Sequence, residues 1–307
     1  MDGHRLGIVS VDINKAGTIA ASASLDNQAK SQKLLSVFEG EPAETWSVAF
    51  SPDSRFVATG SNAGTIHVIG VESHKQESSI ALDGKFIYCL AYVSLGRSTN
   101  LLGLRSQANG RLQPEGIIVL LTSSLFPSNH YVPFYAQAAE RFVEQSLGER
   151  FMRLYGADKS PDGARIAAGS ITGIVSIVDL RSGAILPLDG HATPVRSVAF
   201  SHDGRLVAST ADDKLIRIYD ARDGRLVVSS LQGHSSWVVS STFSPDSKRL
   251  ATASADRTVR IWDIAAKAEE YQSSSHEDQV WSVRYNNDGS RLLSVGGDGS
   301  IVVYSCP

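Results

Sequence analysis

The sequence predicts an all-β propeller, a ring of small sheets in which each sheet is made by one copy of a repeated unit. Three observations predict it. Residues 206–220, 250–263 and 292–305 share one pattern, and residues 194–204, 237–247 and 279–289 share a second pattern just upstream. His191, His234 and His276 introduce these blocks at steps of 43 and 42 residues. Each apolar run is about five residues long and is bounded by turn chemistry such as Ser-Pro-Asp-Ser, His-Asp-Gly or Ala-Asp-Asp-Lys, as short antiparallel strands require. One such unit is a small sheet with two apolar faces that it cannot bury alone. Several arranged radially bury those faces against one another, and ring closure protects the edges.

Taken in chain order, six repeats are legible. Residues 3–26 are the front of the first, and residues 46–70 make a clear second. A third starts at residues 84–92 (GKFIYCLAY) and resumes at 160–179 (SPDGARIAAGSITGIVSIVD); the blocks above supply the last three. The turn after each second strand falls at Asp26, Ala63, Thr172, Asp213, Asp256 and Asp298, at steps of 37, 109, 41, 43 and 42 residues. The long step holds a 67-residue insertion, residues 93–159. Without it the period returns, and Ala91-Tyr92 meets Ser160-Pro161-Asp162-Gly163 as Ala49-Phe50 meets Ser51-Pro52-Asp53. One propeller domain, residues 1–92 and 160–307, is therefore expected, with the insertion in the turn between the first and second strands of its third repeat, where length is tolerated.

Two origins fit the insertion. One is a grafted loop with a helix, because residues 134–155 place Phe142, Val143, Leu147, Phe151, Met152 and Leu154 at helical spacing. The other is retained intron sequence, because Val93-Ser94 is what a GTAAGT splice donor encodes and Lys159 can be AAG. The short 37-residue step marks damage of another kind. After Leu25-Asp26-Asn27-Gln28 the expected third strand of the first repeat is absent, so that sheet should be poorly formed.

Composition excludes several classes of function. The 307 residues carry 29 Lys+Arg against 32 Asp+Glu, a formal net charge of −3, so no basic stripe for direct nucleic-acid binding is expected. Hydrophobic residues at 42% are enough for a folded core. The longest clean apolar run, around Gly116 to Leu121, falls far short of the ~20 residues of a membrane helix, so no membrane partner is expected. The start, MDGHRLGIVSVD, shows no signal peptide. Two cysteines, Cys89 and Cys306, make no disulfide framework, and a reducing compartment is the expectation. No Gly-rich loop is followed by Lys-Ser/Thr, and Gly296-Gly297-Asp298-Gly299 reads as a tight strand turn. No histidines stand at HxxxH or HxH spacing and the cysteines are far apart, so neither metal nor cofactor is expected.

A period of about 40–45 residues with Gly-His at one end and Trp-Asp at the other resembles the WD-repeat family. The resemblance implies a structural role for residues that otherwise suggest a Ser-His-Asp catalytic set. His234 would bond to Asp256 in the tight turn and to Thr252 on the strand, and Thr252 would meet the indole N–H of Trp262, so that each buried polar group is satisfied. Ser254 is the alternative strand hydroxyl. The set recurs as His191, Ser209 and Asp213, and as His276, Ser294 and Asp298. An active site is not copied around a ring, which favours structure over catalysis. Tyr219 and Tyr304 stand in for Trp262, Val178 and Ile69 do not, and Ala63 and Thr172 replace the Asp, so the second and third blades should be less rigid.

Large or charged residues stand where each first strand begins: Trp46, Phe86 with Tyr88, Arg196, Trp237 and Trp281. In a propeller these positions surround one rim of the central channel, and aromatic and Arg side chains dominate interface energetics. Each could instead pack against the neighbouring blade. Trp237 and Trp281 are the better contact candidates because they lie beside polar Ser236 and Gln279.

A narrower resemblance rests on the phrases VIGVES, GHATPVRS, GHSSWV and the terminal Tyr-Ser-Cys-Pro. These are similar to the WD-repeat subunits of the superkiller complex, which in animals are also counted with the Paf1 complex. It covers residues 3–28, 34–92 and 160–307. It implies a non-enzymatic scaffold of cytoplasm and nucleus. Its partners would be the helical-repeat subunit and the helicase of the superkiller complex, in exosome-mediated mRNA decay. In the nucleus they would be Paf1-complex subunits, in transcription elongation and histone modification. A different WD-repeat adaptor, such as a ubiquitin-ligase substrate receptor or a histone-tail reader, is the alternative. The family has seven blades, so six starts imply that the first is missing and leave ring closure open; an unclosed ring would expose a strand edge.

Overall fold

The computed structural model describes residues 4, 6–26, 28–31, 37–39, 45–51, 53–61, 63–81, 87–93, 117–122, 154–170, 172–179 and 182–306. Among these there are strands and turns and no helix. Among the described residues five sheets have four strands, one has three and one has two. Sheet 1 is β1 (Ile8–Ile13), β2 (Ala20–Ser24), β3 (Gln28–Ser31) and β4 (Val37–Glu39). Sheet 2 is β5 (Thr45–Phe50), β6 (Phe56–Ser61), β7 (Thr65–Gly70) and β8 (Gln76–Ala81). Sheet 3 is the pair β9 (Ile87–Val93) and β10 (Ile117–Thr122). Sheet 4 is β11 (Leu154–Lys159), β12 (Arg165–Ser170), β13 (Val175–Asp179) and β14 (Ile185–Leu188). Sheet 5 is β15 (Val195–Phe200), β16 (Leu206–Ala211), β17 (Ile216–Asp220) and β18 (Leu226–Leu231). Sheet 6 is β19 (Val238–Phe243), β20 (Arg249–Ser254), β21 (Val259–Asp263) and β22 (Ala268–Ser273). Sheet 7 is β23 (Val280–Tyr285), β24 (Arg291–Gly296) and β25 (Ile301–Ser305).

Sheets 1, 2, 4, 5, 6 and 7 are antiparallel meanders whose first hairpin is built by one recurrent turn. Ser201 Oγ donates to Asp203 Oδ1 at 2.6 Å and accepts the amide of Leu206 at 2.9 Å. Ser51, Ser160 and Ser244 repeat this arrangement with Asp53, Asp162 and Asp246. In sheets 1 and 7 the side chains of Asn14 and Asn286 take the place of the serine, accepting the amides of Thr18 and Arg291. A side chain that copies a backbone turn in this way fixes the hairpin register without a long loop.

The apolar faces meet between sheets. Val175, Ile177 and Leu188 of sheet 4 pack on Val198, Phe200 and Tyr219 of sheet 5. Ile216, Ile218 and Val228 pack on Val238, Phe243, Leu250 and Trp262 of sheet 6. Val259 and Ile261 pack on Val280, Val283, Tyr285 and Leu292 of sheet 7. The ring is closed by a core of Leu293 and Val295 from sheet 7 with Ile8, Val11 and Ala20 from sheet 1. On the same seam the Asn287 side-chain amide donates to the carbonyl of Lys15. Closure buries faces that would otherwise stay wet, at ~25 cal/mol for each Å² of apolar surface.

The seven first strands line the centre and follow one another around it in the order β1, β5, β9, β11, β15, β19, β23. They are joined by side chains rather than by a backbone ladder. Asp12 Oδ2 accepts the Phe50 amide at 2.7 Å, and Asp158 Oδ2 accepts the Phe200 amide at 2.8 Å. Ser197 Oγ accepts the Ser241 amide at 3.2 Å, and Ser240 Oγ accepts that of Val283 at 3.3 Å. These bonds answer inner-strand donors that no neighbouring strand pairs.

Two expectations change. Residues 84–92 and 160–179 do not share a sheet: β9 pairs with β10, and β11, from the end of the insertion, is the first strand of sheet 4. The reason is local. β11 runs directly into the Ser160–Asp162 turn and folds back on β12, whereas β9 would have to close over 67 residues first. Sheet 3 then fills a seventh place, and the ring closes. The first sheet has a third strand after all, shortened rather than lost: β3 has four residues and β4 three. The helix expected at 134–155 lies outside the described residues, except for Leu154 and Tyr155 at the start of β11.

Candidate functional site

The end of the ring where the first strands begin also holds the turns between second and third strands, so two sets of residues meet there. The inner set is a chain of hydrogen bonds. In sheet 6 the Trp262 indole N–H donates to Thr252 Oγ1 at 2.9 Å. Thr252 donates to His234 Nε2 at 2.8 Å, and His234 Nδ1–H donates to Asp256 Oδ2 at 2.8 Å. This order gives each atom the role it can play only if the imidazole carries its proton on Nδ1. Asp256 also accepts the amides of Ser235 and Thr258 and the Thr258 hydroxyl. Burial works to raise its pKa, but the bonds from His234 and Thr258 outweigh it and hold the carboxyl well below the usual range.

Sheet 5 places His191 Nδ1 2.9 Å from Asp213 and Nε2 2.7 Å from Ser209. Tyr219, fully buried, replaces the indole and donates to the carbonyl of Asp189. Burial pushes the His191 pKa down despite Asp213 beside it. Sheet 7 places His276 3.0 Å from Asp298 and 2.7 Å from Ser294, whose hydroxyl reaches Tyr304 at 3.2 Å. Sheet 1 has the same set: His4 Nδ1 is 3.0 Å from Asp26 and Nε2 is 2.8 Å from Ser22. This fourth copy escaped the sequence reading, although its offsets of 18 and 22 residues match the others. Sheets 2 and 4, with Ala63 and Thr172, close the turn by a serine without the Asp, Ser61 on the Thr65 amide and Ser170 on the Ile174 amide, and in sheet 4 the Thr172 hydroxyl joins Ser170 Oγ at 2.9 Å. Chemically the set is spent inward. Ser209, Thr252 and Ser294 are fully buried, so none can meet a substrate.

The outer set is the rim. Arg196 is the second residue of β15, and its Nε and Nη2 donate to the two carboxylate oxygens of Asp212 at 2.7 Å each. The same guanidinium lies over the ring of Trp237, 5.3 Å from its centre. Trp237 stands immediately before β19 and remains 45% exposed. These two rim candidates thus come together across the seam of sheets 5 and 6. Trp46 and Trp281 are the second residues of β5 and β23 and are half-buried. Tyr88 is the second residue of β9, and Phe86 lies outside the described residues. Asp212, which holds Arg196 in place, gave no sequence signal beyond a second Asp in the turn. Lys214 and Arg257 add two cations to the rim; both have φ of 70° where sheet 7 has Gly299.

The WD domain, G-beta repeat model matches residues 32–69, 184–220, 225–263 and 269–305. The chain is 48% identical to the WD repeat-containing protein SL1-17 of Schistosoma mansoni, over 99% of this chain and 81% of that one. It is 31% identical to the WD repeat-containing protein VIP3 of Arabidopsis thaliana over 65% of this chain and 47% of the other. A guanine nucleotide-binding protein subunit beta of Arabidopsis thaliana is 26% identical over 74% of this chain and 72% of that protein. With a closed ring of sheets, repeated His–Asp turns and a 48% identical WD-repeat relative aligned over 99% of this chain, the chain belongs to the WD-repeat family.

Proposed function

We propose that this chain is a non-enzymatic scaffold that docks partner proteins on the rim, and that it serves as the WD-repeat subunit of a superkiller complex. WD-repeat propellers generally bind other proteins, and the observation that carries the reading here is the Arg196–Trp237 pair. An indole 45% exposed beside an anchored guanidinium is the kind of preorganised anchor that dominates interfaces. The polar network behind it offers no accessible nucleophile or base. In the cytoplasm the partners would be the helical-repeat subunit and the helicase that feed 3′ ends to the exosome. In the nucleus they would be Paf1-complex subunits. The phrases VIGVES, GHATPVRS and GHSSWV support this assignment.

The experiment is recovery of the tagged chain from cells, with quantitative identification of what accompanies it, against Trp237→Ala. Helical-repeat superkiller proteins or Paf1 subunits, depleted in the variant, are the expected result. A cullin adaptor or histone tails in their place would assign the chain to a different adaptor class.

A further inference from the structure

The loop between β22 and β23, residues 274–279, is pinned from inside and open on its outside. His276 is its buried anchor, held by Asp298 and Ser294. The Glu277 amide donates to Asp298 Oδ2 at 2.9 Å, so the backbone beyond the anchor is fixed as well. Around this anchor Ser274, Ser275, Glu277 and Asp278 are all exposed. The Ser275 hydroxyl is engaged with Ser273 Oγ at 2.8 Å. Among the described residues the Ser274 hydroxyl has no hydrogen-bond partner.

The corresponding loops differ in their chemistry. Glycine stands before His191 and His234; a Cβ on Gly190 would run into the Gly173 carbonyl, and one on Gly233 into the Arg260 guanidinium. Sheet 7 has Val302 where sheet 6 has Arg260, and Ser275 takes the place of the glycine. Ser274 itself replaces Asp189 and Gln232, which are exposed in their own loops. Among the described residues, five serines and threonines have a carboxylate three positions on: Ser176, Ser209, Thr210, Ser274 and Ser275. Ser176, Ser209 and Thr210 are buried inside sheets. Only the loop before sheet 7 therefore sets such a hydroxyl and its acid in solvent together, and there the free hydroxyl is that of Ser274, followed by Glu277.

We propose that Ser274 is a phosphorylation site, modified by a serine kinase whose substrate groove is basic and selects the acid at Glu277. Three residues of extended chain span about 10 Å, so the acid lies clear of the reacting hydroxyl and can be read by a separate cationic pocket. The Ser274 oxygen attacks the γ-phosphorus of ATP and its proton passes to the kinase's base. The bond from that phosphorus to the β–γ bridging oxygen breaks, and ADP leaves. The product adds about −1.5 to −2 charge beside Glu277 and Asp278. The cation nearest at hand is Arg257, whose Nη1 reaches the Glu277 carbonyl at 3.4 Å. The loop leads directly into β23 and Trp281, so this charge falls beside the rim, although the modification itself does not rest on the docking reading.

The probe is casein kinase 2, an acid-directed serine kinase, with Mg-ATP and the purified 307-residue chain. Trypsin then releases residues 268–284 as one peptide, in which mass spectrometry locates the phosphate. Phosphate on Ser274 is expected, absent from Ser274→Ala, kept in Ser275→Ala and reduced at least about tenfold in Glu277→Gln, which removes only the charge. These positions are exposed, so the variants should keep the wild-type melting point. Trp237→Ala should be phosphorylated like the wild type, which separates this result from the fate of the docking reading. An unmodified peptide, phosphate on Ser275 instead, or indifference to Glu277→Gln would overturn the proposal. So would equal labelling of Ser176, Ser209 or Thr210, because it would mean that the kinase reads the unfolded chain.

Discussion

The guanidinium of Arg196 spans two sheets: it grips Asp212 beside its own strand at 2.7 Å and lies 5.3 Å from the ring centre of Trp237 on the next. The two residues therefore have different tasks, which substitution can separate. Trp237→Ala removes an exposed surface and should leave the melting point unchanged while weakening partner capture. Arg196→Ala also strips Asp212 of its two donors, and a half-buried carboxylate left unpaired costs about 1 kcal/mol. Thermal denaturation with pull-down on the two variants checks this. Equal losses of stability would mean that Trp237 is a packing residue.

The rim cations are held at a conformational cost. Gly64, Gly173 and Gly299 occupy the left-handed position of their turns, and Lys214 and Arg257 occupy the same position at φ 70°. A side chain there is strained by about 1 kcal/mol, which glycine would relieve. Arg257→Gly gives up only a long bond to the Glu277 carbonyl, at 3.4 Å. It should unfold at higher denaturant while binding rim partners less well. A loss of stability would show that the Glu277 contact outweighs the strain.

The Trp262–Thr252–His234–Asp256 chain should respond to removal of single atoms. Asp256→Ala leaves His234 Nδ1–H and two amides without acceptors and should cost about 1–3 kcal/mol. Thr252→Val keeps the shape, breaks the chain in the middle and should cost a similar amount. Because the residues form one network, the double variant should lose less than the sum. Urea denaturation of the three proteins measures it, and strict additivity would refute a connected network.

The same carboxylate sets an acid limit. The folded pKa of Asp256 is depressed, so the unfolded chain binds its proton more readily. Stability from this group is complete above its ordinary value of 3.8 and is lost as pH falls through the folded value. Asp298, Asp162 and Asp246 shift in the same direction. The melting point of the wild type should fall steeply below about pH 4, and Asp256→Ala should flatten that fall. Parallel curves for the two proteins would show that Asp256 titrates normally.

Much of this was legible because it repeats at fixed offsets. The turn at Asp203 and the partners of His234 lie within one repeat, where spacing alone brings them together. What joins one repeat to the next was not legible. The Arg196–Trp237 contact and the strand β11 depend on which neighbouring sheet or strand a residue meets, and a single repeat read by itself does not contain that. Asp12 is the plainest case: in sequence it is one polar residue among alternating apolar ones, and its partner, the Phe50 amide, lies 38 residues on, in another sheet.

That staple makes a prediction of opposite sign to the acid limit. Burial raises the pKa of Asp12, although the Phe50 amide and Arg284 act to lower it, so the folded chain holds this proton more readily than the unfolded one. Its charge therefore subtracts from stability as pH rises above 3.8. Asp12→Asn keeps a carbonyl oxygen for the Phe50 amide and discards the buried charge; at pH 7 it should be at least as stable as the wild type. Asp12→Ala discards the acceptor too and should cost about 1–3 kcal/mol against Asn, the penalty for a buried amide left without a partner. Hydrogen exchange at Phe50 reads the bond directly, with protection kept in the Asn variant and lost in the Ala variant. If both variants lose protection, the carboxylate charge rather than its geometry holds sheet 2 against sheet 1. If neither does, the first strands are held by packing alone.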